Sequence, residues 1–213
     1  MQIPADHGHL EALLKEPDGV HRGAAVICHP HPLHGGTMHT KAVYRAAQAC
    51  NDAGLVTLRF NFRGVGTSTG SHDDGVGERD DLRAVLDWME ARFPHLPLVV
   101  GGFSFGSMVG LSVGGEDPRV AALLGLGLPV DLERYDYSYL SASDKPILVI
   151  QGENDEFGSG DRAAELLTGL GPHITLVRIP CADHYFTDSL DELRAAVRGY
   201  YESGPGSRYL IAV

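Results

Sequence analysis

The sequence predicts an α/β fold, with a mostly parallel central sheet of about seven strands and helices on both faces. Short apolar runs alternate with helix-like segments along the whole chain, and this alternation is typical of parallel sheets. The apolar runs are nearly continuous, so both faces of each strand need covering helices. A chain of 213 residues has the size of one domain. We therefore expect a single domain over residues 1–213.

The predicted elements follow one another in a regular order. Seven short apolar runs are predicted strands: His9–Leu14, Ala24–Cys28, Leu55–Phe60, Leu98–Gly102, Val120–Gly125, Ile147–Gly152 and Ile174–Ile179. Five segments are predicted helices: Thr40–Ala53, Glu78–Arg92, Ser104–Val113, Ser159–Leu170 and Thr187–Glu202. The second of these helices shows the 3.6-residue period most clearly, because Leu82, Val85 and Met89 fall on one face.

The last residues of the chain, 204–213, have a different character. Gly204-Pro205-Gly206 ends the last predicted helix, and the apolar residues Tyr209–Val213 follow it. We expect a flexible or docking tail here. The sequence leaves open whether it pairs as an edge strand or contacts a second copy of the chain.

Composition excludes several classes of function. The net charge of −11 and the lack of a Lys/Arg cluster argue against a nucleic-acid partner. Three cysteines cannot all pair, and reduced thiols are typical of a cytoplasmic protein. We expect no signal peptide from residues 1–9, and the sequence has no run of about 18 apolar residues that could span a membrane. We expect a monomer or homodimer with no membrane partner, no metal and no cofactor.

The most informative motif is Gly102-Phe103-Ser104-Phe105-Gly106, a G-x-S-x-G set directly after a predicted strand and before a predicted helix. In that context the motif predicts a nucleophile elbow, a sharp turn that lifts the serine hydroxyl clear of the sheet. Glycines on either side of Ser104 are needed because the turn leaves no room for side chains. The alternative is a glycine-rich turn with no chemistry.

A nucleophilic serine needs a base and an acid, which in this arrangement follow it in the order serine, acid, histidine. Asp155 is the predicted acid, because it follows the strand Ile147–Gly152. Glu153 and Glu156 in the same loop are its rivals. His184 is the predicted base, since it follows the next strand, whereas Asp183 is interpreted as a loop residue or N-cap before the last helix.

Acyl transfer also needs two N–H donors for the oxyanion. One predicted donor is Phe105, directly after the serine. The second comes from the loop His29-Pro30-His31-Pro32-Leu33-His34-Gly35-Gly36, where the prolines have no N–H. His31 is the first choice for this donor and Leu33 is the second.

Two other patterns have plainer interpretations. The histidines His29, His31, His34 and His39 suggest a metal site, but their spacing gives no tetrahedral set, and we expect His29 to bond the backbone instead. The glycine-rich segment after Arg63 lacks the lysine of a phosphate-binding loop. We expect a turn in which Arg63 bonds loop carbonyls.

Taken together, five segments resemble the α/β-hydrolase superfamily. They are His29–Met38, Phe60–Gly70, Gly102–Gly106, Gly152–Asp155 and Asp183–Phe186. More narrowly, the chain resembles small lidless bacterial serine hydrolases with an HPHP-x-x-GG motif, akin to dienelactone hydrolases, over about residues 9–202. The resemblance implies an α/β-hydrolase fold with Ser104, Asp155 and His184 as the catalytic triad.

The implied activity is that of a carboxylesterase acting on a small-molecule ester. Dienelactone hydrolases use a cysteine nucleophile, so the serine at position 104 favours ester chemistry. Thioesterase, lactonase or peptidase activity with the same triad remains an alternative, as does a non-catalytic binding protein on this fold. The segment Gly127–Lys145 is too short for a lid of several helices. We therefore expect an open cleft, with Tyr135, Tyr137 and Tyr139 either lining it or facing solvent.

Overall fold

In residues 1–132 and 135–212, which the computed structural model describes, eight strands form one sheet. They are β1 (Gln2–Ala5), β2 (Gly8–Lys15), β3 (Gly23–Cys28), β4 (Leu55–Phe60), β5 (Leu98–Phe103), β6 (Val120–Leu126), β7 (Ile147–Gly152) and β8 (Ile174–Ile179). The same part of the chain forms five α-helices: α1 (Lys41–Asp52), α2 (Val76–Arg92), α3 (Phe105–Glu116), α4 (Gly160–Thr168) and α5 (Leu190–Glu202). Short 3₁₀ helices cover Pro32–His34, Ser138–Ala142 and Pro205–Tyr209.

The sheet has the order β1-β2-β4-β3-β5-β6-β7-β8. Strands β1 and β2 are antiparallel additions at one edge, and β3 to β8 are parallel. Helices α1 and α5 pack on one face, whereas α2, α3 and α4 pack on the other. Every residue of β3, β5 and β7 is buried, as continuous apolar strands between two helical layers should be.

The seven predicted strands and five predicted helices are all present, and they form the expected α/β fold with a mostly parallel sheet. The sheet has one strand more than expected in the described residues, since β1 was not predicted. Ile3 is its only buried residue, and its Pro4 cannot donate to a sheet ladder. A strand with one inward side chain lacks the repeated apolar positions that predict a strand from sequence. Only its pairing with β2 therefore defines β1.

The start of the last helix also differs from the prediction. Helix α5 begins at Leu190 instead of Thr187. The carboxylate of Asp183 accepts hydrogen bonds from the backbone N–H and the hydroxyl of Thr187, at 2.9 and 2.6 Å. Asp183 therefore caps a turn before the helix, and the left-handed φ of 54° at Phe186 keeps that turn separate from α5.

The C-terminal tail docks against the domain as a 3₁₀ turn. Leu210 is buried, and the Ile211 N–H donates to the Arg22 carbonyl at 2.7 Å. The Arg22 guanidinium donates to the carbonyls of Tyr201 and Ile211. The tail thus packs beneath α5 without joining the sheet, and Val213 lies outside the described residues.

The segment between β6 and β7 carries a single short 3₁₀ helix in its described residues; residues 133–134 of that segment are not described. In the described part of the chain, no helix has the length and apolar character needed to cross a membrane.

Candidate active site

The site lies at the carboxyl edge of the parallel strands, where ligands bind in open α/β sheets. Ser104 follows β5, Asp155 lies just beyond β7, and His184 lies in the loop after β8. Because β5, β6, β7 and β8 are adjacent in the sheet, three residues far apart in sequence are brought to the same edge. Ser104 and His184 line the same cleft.

Ser104 has the backbone geometry of a nucleophile elbow. Its φ of 55° and ψ of −120° lie in a region that residues with a side chain rarely adopt. The Ser104 N–H donates to the Leu126 carbonyl at 3.0 Å, and the Ser104 carbonyl accepts the Ser107 hydroxyl at 2.6 Å. These contacts with the neighbouring strand and with α3 hold the strained residue in place.

The flanking glycines are required by close backbone approach. A Cβ on Gly102 would collide with the Gly106 carbonyl. A Cβ on Gly106 would lie 2.6 Å from the Cys28 carbonyl oxygen and closer still to that of His29. The G-x-S-x-G spacing therefore permits the sharp turn and also lets α3 start directly against the end of β3.

Asp155 and His184 form a buried, directly bonded pair. The Nδ1 atom of His184 lies 2.8 Å from Asp155 Oδ2, and the residues are 3% and 2% exposed. The second carboxylate oxygen of Asp155 accepts the Phe157 N–H at 2.8 Å. An ionised carboxylate can only accept, so the His184 proton sits on Nδ1 in the neutral ring and Nε2 carries the lone pair.

The rival carboxylates have other partners. Glu153 pairs with Arg178 at 3.1 Å, and Glu156 accepts the backbone N–H of His184 at 3.3 Å. Of the three acidic residues in this loop, Asp155 is the one placed to orient the imidazole ring.

Aromatic rings fix the plane of the His184 imidazole. The ring centroids of Phe103 and Phe157 lie 4.9 and 4.7 Å from that of His184, and Tyr185 packs edge-on at 5.3 Å. On another side a Cβ at Gly127 would stand 3.3 Å from the His184 ring, so the Gly127 backbone lies directly against it. The imidazole has little freedom to rotate.

The two residues predicted to supply the oxyanion donors, Phe105 and His31, both lie near Ser104. Phe105 is the first residue of α3, and the first N–H groups of a helix have no acceptor within it. His31 begins the 3₁₀ turn after β3, and its side chain lines the cleft. The Leu33 N–H, the second choice from sequence, donates to His31 Nδ1 at 3.3 Å. This bond favours His31 over Leu33.

His29 bonds the backbone, as the sequence predicts. It is fully buried; its Nδ1 lies 2.7 Å from the Pro30 carbonyl oxygen, and its Nε2 accepts the Phe62 N–H at 3.0 Å. Burial lowers the pKa of the His29 imidazole to about 4. Both ring nitrogens are used, and within the described residues no cluster of three or more His, Cys, Asp or Glu side chains could hold a metal ion.

The cleft above Ser104 is small and partly aromatic. It encloses about 100 Å³, below the roughly 300–1,000 Å³ of pockets for drug-sized ligands. Besides Ser104 and His184, it is lined by Pro30, His31, His34, Leu132, Tyr135, Phe157 and Tyr185. Of the three tyrosines singled out in the sequence, Tyr135 lines the cleft. Tyr137 is buried with its hydroxyl 3.3 Å from that of Ser107, and burial raises the pKa of Tyr139.

Arg63 does not make the bonds to loop carbonyls that the sequence suggested. Its guanidinium binds Asp81, which is fully buried in α2, at 3.0 and 2.7 Å. His7 also lies 2.8 Å from this carboxylate. The bonds with Asp81 raise the pKa of Arg63. Arg63 therefore ties the loop after β4 to α2 through a salt bridge.

Sequence reasoning missed two supporting groups. Gln151, at the end of β7, is buried and bonds Asp155. Glu78 is buried in α2, lies 2.7 Å from His72 Nδ1, and accepts the Gly75 N–H. The His72 ring in turn contacts His31 and Phe105. A polar residue inside an apolar strand is the signal that could have revealed Gln151.

Comparison with known proteins places the chain in a family. A family described as an α/β-hydrolase domain matches residues 24–194. The chain belongs to the α/β-hydrolase family.

Solved structures agree with this assignment. An α/β serine hydrolase homologue from Coxiella burnetii is 37% identical, with a TM-score of 0.87 over 93% of this chain and 94% of that one. A lidless α/β serine hydrolase from Xanthomonas campestris is 36% identical, with a TM-score of 0.88 over 100% of this chain and 95% of that one. An uncharacterised protein of Rickettsia prowazekii is 34% identical over 91% of this chain and 84% of its own length. The family match and the two serine hydrolase structures support hydrolase activity in general.

Proposed function

We propose that this protein is a serine carboxylesterase that cleaves small carboxylic esters through an acyl-enzyme intermediate. The observation that carries the proposal is the buried Asp155–His184 pair, 2.8 Å apart. Its histidine lines the same cleft as Ser104, which lies at a strained elbow. A serine, a histidine and a carboxylate with these environments perform acyl transfer on several unrelated folds.

The proposed reaction has two halves. The Ser104 hydroxyl attacks the ester carbonyl while His184 Nε2 takes its proton, and the N–H groups of Phe105 and His31 stabilise the oxyanion. Collapse of this intermediate returns the proton from His184 to the leaving alcohol and leaves Ser104 acylated. Water then attacks the acyl group by the same proton transfers and releases the acid. Asp155 keeps His184 in the required tautomer throughout.

The size of the cleft supports short acyl groups. It encloses about 100 Å³, and the 3₁₀ helix Ser138–Ala142 is much smaller than a lid of several helices. We expect p-nitrophenyl acetate and butyrate to be hydrolysed with higher kcat/KM than the laurate. A preference for the laurate would contradict this part of the proposal.

The bond that is cleaved requires a direct test, because fold and triad do not choose the leaving group. A panel of p-nitrophenyl esters, thioesters, lactones and anilides should be assayed with Ser104→Ala as the blank. Hydrolysis of esters above the others supports a carboxylesterase, whereas a preference for one of the other classes assigns the same machinery to that bond. A fluorophosphonate probe that fails to label Ser104 in folded protein would favour a non-catalytic binding protein.

A further inference from the structure

Gln151 is a buried amide at the end of β7 that bonds Asp155 and two neighbouring backbone segments. Its Nε2 donates to Asp155 Oδ2 at 2.9 Å and to the Gly158 carbonyl at 2.6 Å. The Leu128 carbonyl lies 3.2 Å from the same nitrogen, and Gln151 Oε1 accepts the Leu128 N–H at 2.8 Å. Gln151 is fully buried.

This pattern fixes the orientation of the amide. If the group were flipped, its oxygen would face a carboxylate and two carbonyls, and its nitrogen would face the Leu128 N–H. Each of those contacts would then place an acceptor against an acceptor or a donor against a donor. The N–H of Gln151 is therefore directed at Asp155 Oδ2, the same oxygen that His184 Nδ1 contacts.

The hydrogen bond between Gln151 and Leu128 affects a different side of the His184 ring from the bond to Asp155. By accepting the Leu128 N–H through Oε1, Gln151 also holds the backbone that follows β6. The preceding residue, Gly127, has a left-handed φ of 50°, and its backbone lies against the imidazole ring. One side chain thus connects the acid of the site to the surface on which the histidine rests.

We propose that Gln151 is a positioning residue that fixes Asp155 and the Gly127–Leu128 backbone in place against the His184 ring. The inference rests on the proposed function, since it assigns Gln151 a part in orienting the base of that reaction. It also has an electrostatic consequence. The N–H draws negative charge from Asp155 Oδ2, so its loss leaves a more negative carboxylate beside the imidazole and favours the imidazolium form.

The test is Gln151→Met, which keeps the volume and flexibility of the side chain but removes its polar atoms. The His184 ring should be titrated by ¹H–¹⁵N NMR, with its signals assigned by their loss in His184→Ala. We expect the midpoint of His184 protonation to rise by roughly half a unit to one unit. We also expect kcat for ester hydrolysis to fall by roughly tenfold to a hundredfold, with KM changed much less.

The matched control is Asn51→Leu. Asn51 is also a buried amide, and it donates to the carbonyls of Lys15 and Leu55, neither of which lines the cleft. Its loss should lower the melting temperature and leave the His184 midpoint and kcat as in the wild type. A folded Gln151→Met protein whose midpoint moves no further than that of Asn51→Leu would overturn the proposal.

Two features keep the test decisive. If Gln151→Met does not fold, Gln151→Ala removes the same polar atoms with a smaller side chain. Its His184 midpoint should rise in the same direction, and an unchanged midpoint would contradict the inference. The NMR titration needs no substrate, so an inactive wild-type protein would refute the proposed function and still leave the role of Gln151 measurable.

Discussion

The Nε2 atom of His29 accepts the backbone N–H of Phe62 at 3.0 Å and so joins the loop after β3 to the loop after β4. The other ring nitrogen bonds the Pro30 carbonyl at 2.7 Å. A doubly protonated ring could not accept from Phe62, so the buried imidazole must stay neutral. The loop that would supply the second oxyanion donor is therefore anchored by an uncharged histidine.

This anchor makes stability depend on pH. Burial lowers the pKa of His29 to about 4, against about 6.5 for an unperturbed histidine. Between those values the unfolded chain binds a proton that the folded chain does not, so the free energy of unfolding falls as pH falls. The loss begins below about pH 6.5, is complete near pH 4, and amounts to roughly 3 kcal/mol.

The measurement is urea unfolding at pH 7.5 and pH 4.5. Wild type should lose roughly 2 to 3 kcal/mol more between these pH values than His29→Gln. His39→Gln, which changes an exposed histidine, serves as the control and should behave as wild type. An equal loss in wild type and His29→Gln would show that His29 is not the group responsible.

Ser104→Ala should abolish ester hydrolysis while leaving the fold intact. Removal of the nucleophile in such a triad costs about 10⁴-fold or more in kcat. The variant should keep the wild-type circular dichroism spectrum, because the Ser104 backbone bonds do not involve its hydroxyl. Labelling by a fluorophosphonate should disappear with the activity. Retained labelling would mean that another residue is the nucleophile.

Asp155→Asn tests the choice of acid within its loop. The amide can present an N–H to His184 Nδ1, which selects the wrong tautomer, so kcat should fall by about 10⁴-fold. Glu153→Gln changes a partly exposed carboxylate paired with Arg178 and should stay within about twofold of wild type, because exposed ion pairs contribute little. Comparable losses in both variants would contradict the assignment of Asp155. Steady-state kinetics on p-nitrophenyl butyrate gives both numbers.

Gly106→Ala should destabilise the protein through a backbone clash. The new Cβ would lie 2.6 Å from the Cys28 carbonyl oxygen, and carbonyls at the end of a central strand cannot move aside. We expect a loss of about 1 to 3 kcal/mol in the free energy of unfolding. Gly115→Ala, in the same helix, has no atom within 4 Å of its new Cβ and should be neutral or stabilising by up to about 1 kcal/mol. Equal denaturation midpoints would refute the steric argument.

Local patterns were sufficient to predict most elements and the three residues proposed as a triad. Continuous apolar runs located β3 to β8, and the position of Ser104, Asp155 and His184 just after strands followed from the alternation of elements. The same reasoning failed for Arg63, whose partner Asp81 lies 18 positions away in α2. The sequence of the turn that contains Arg63 does not show that folding places a carboxylate of α2 next to it.

The amino-acid sequence by itself determined the fold class, the order of the elements and the placement of Ser104, Asp155 and His184 at strand ends, because apolar periodicity and turn sterics act over a few neighbouring residues. Tertiary structure alone decided the pairing of β1, the docking of the tail through Arg22 and the engagement of the Leu33 N–H by His31. It also decided that Gln151 contacts Asp155. The partners of buried hydrogen-bonding groups depend on which strands and loops are adjacent. That adjacency is set only when the whole sheet has folded.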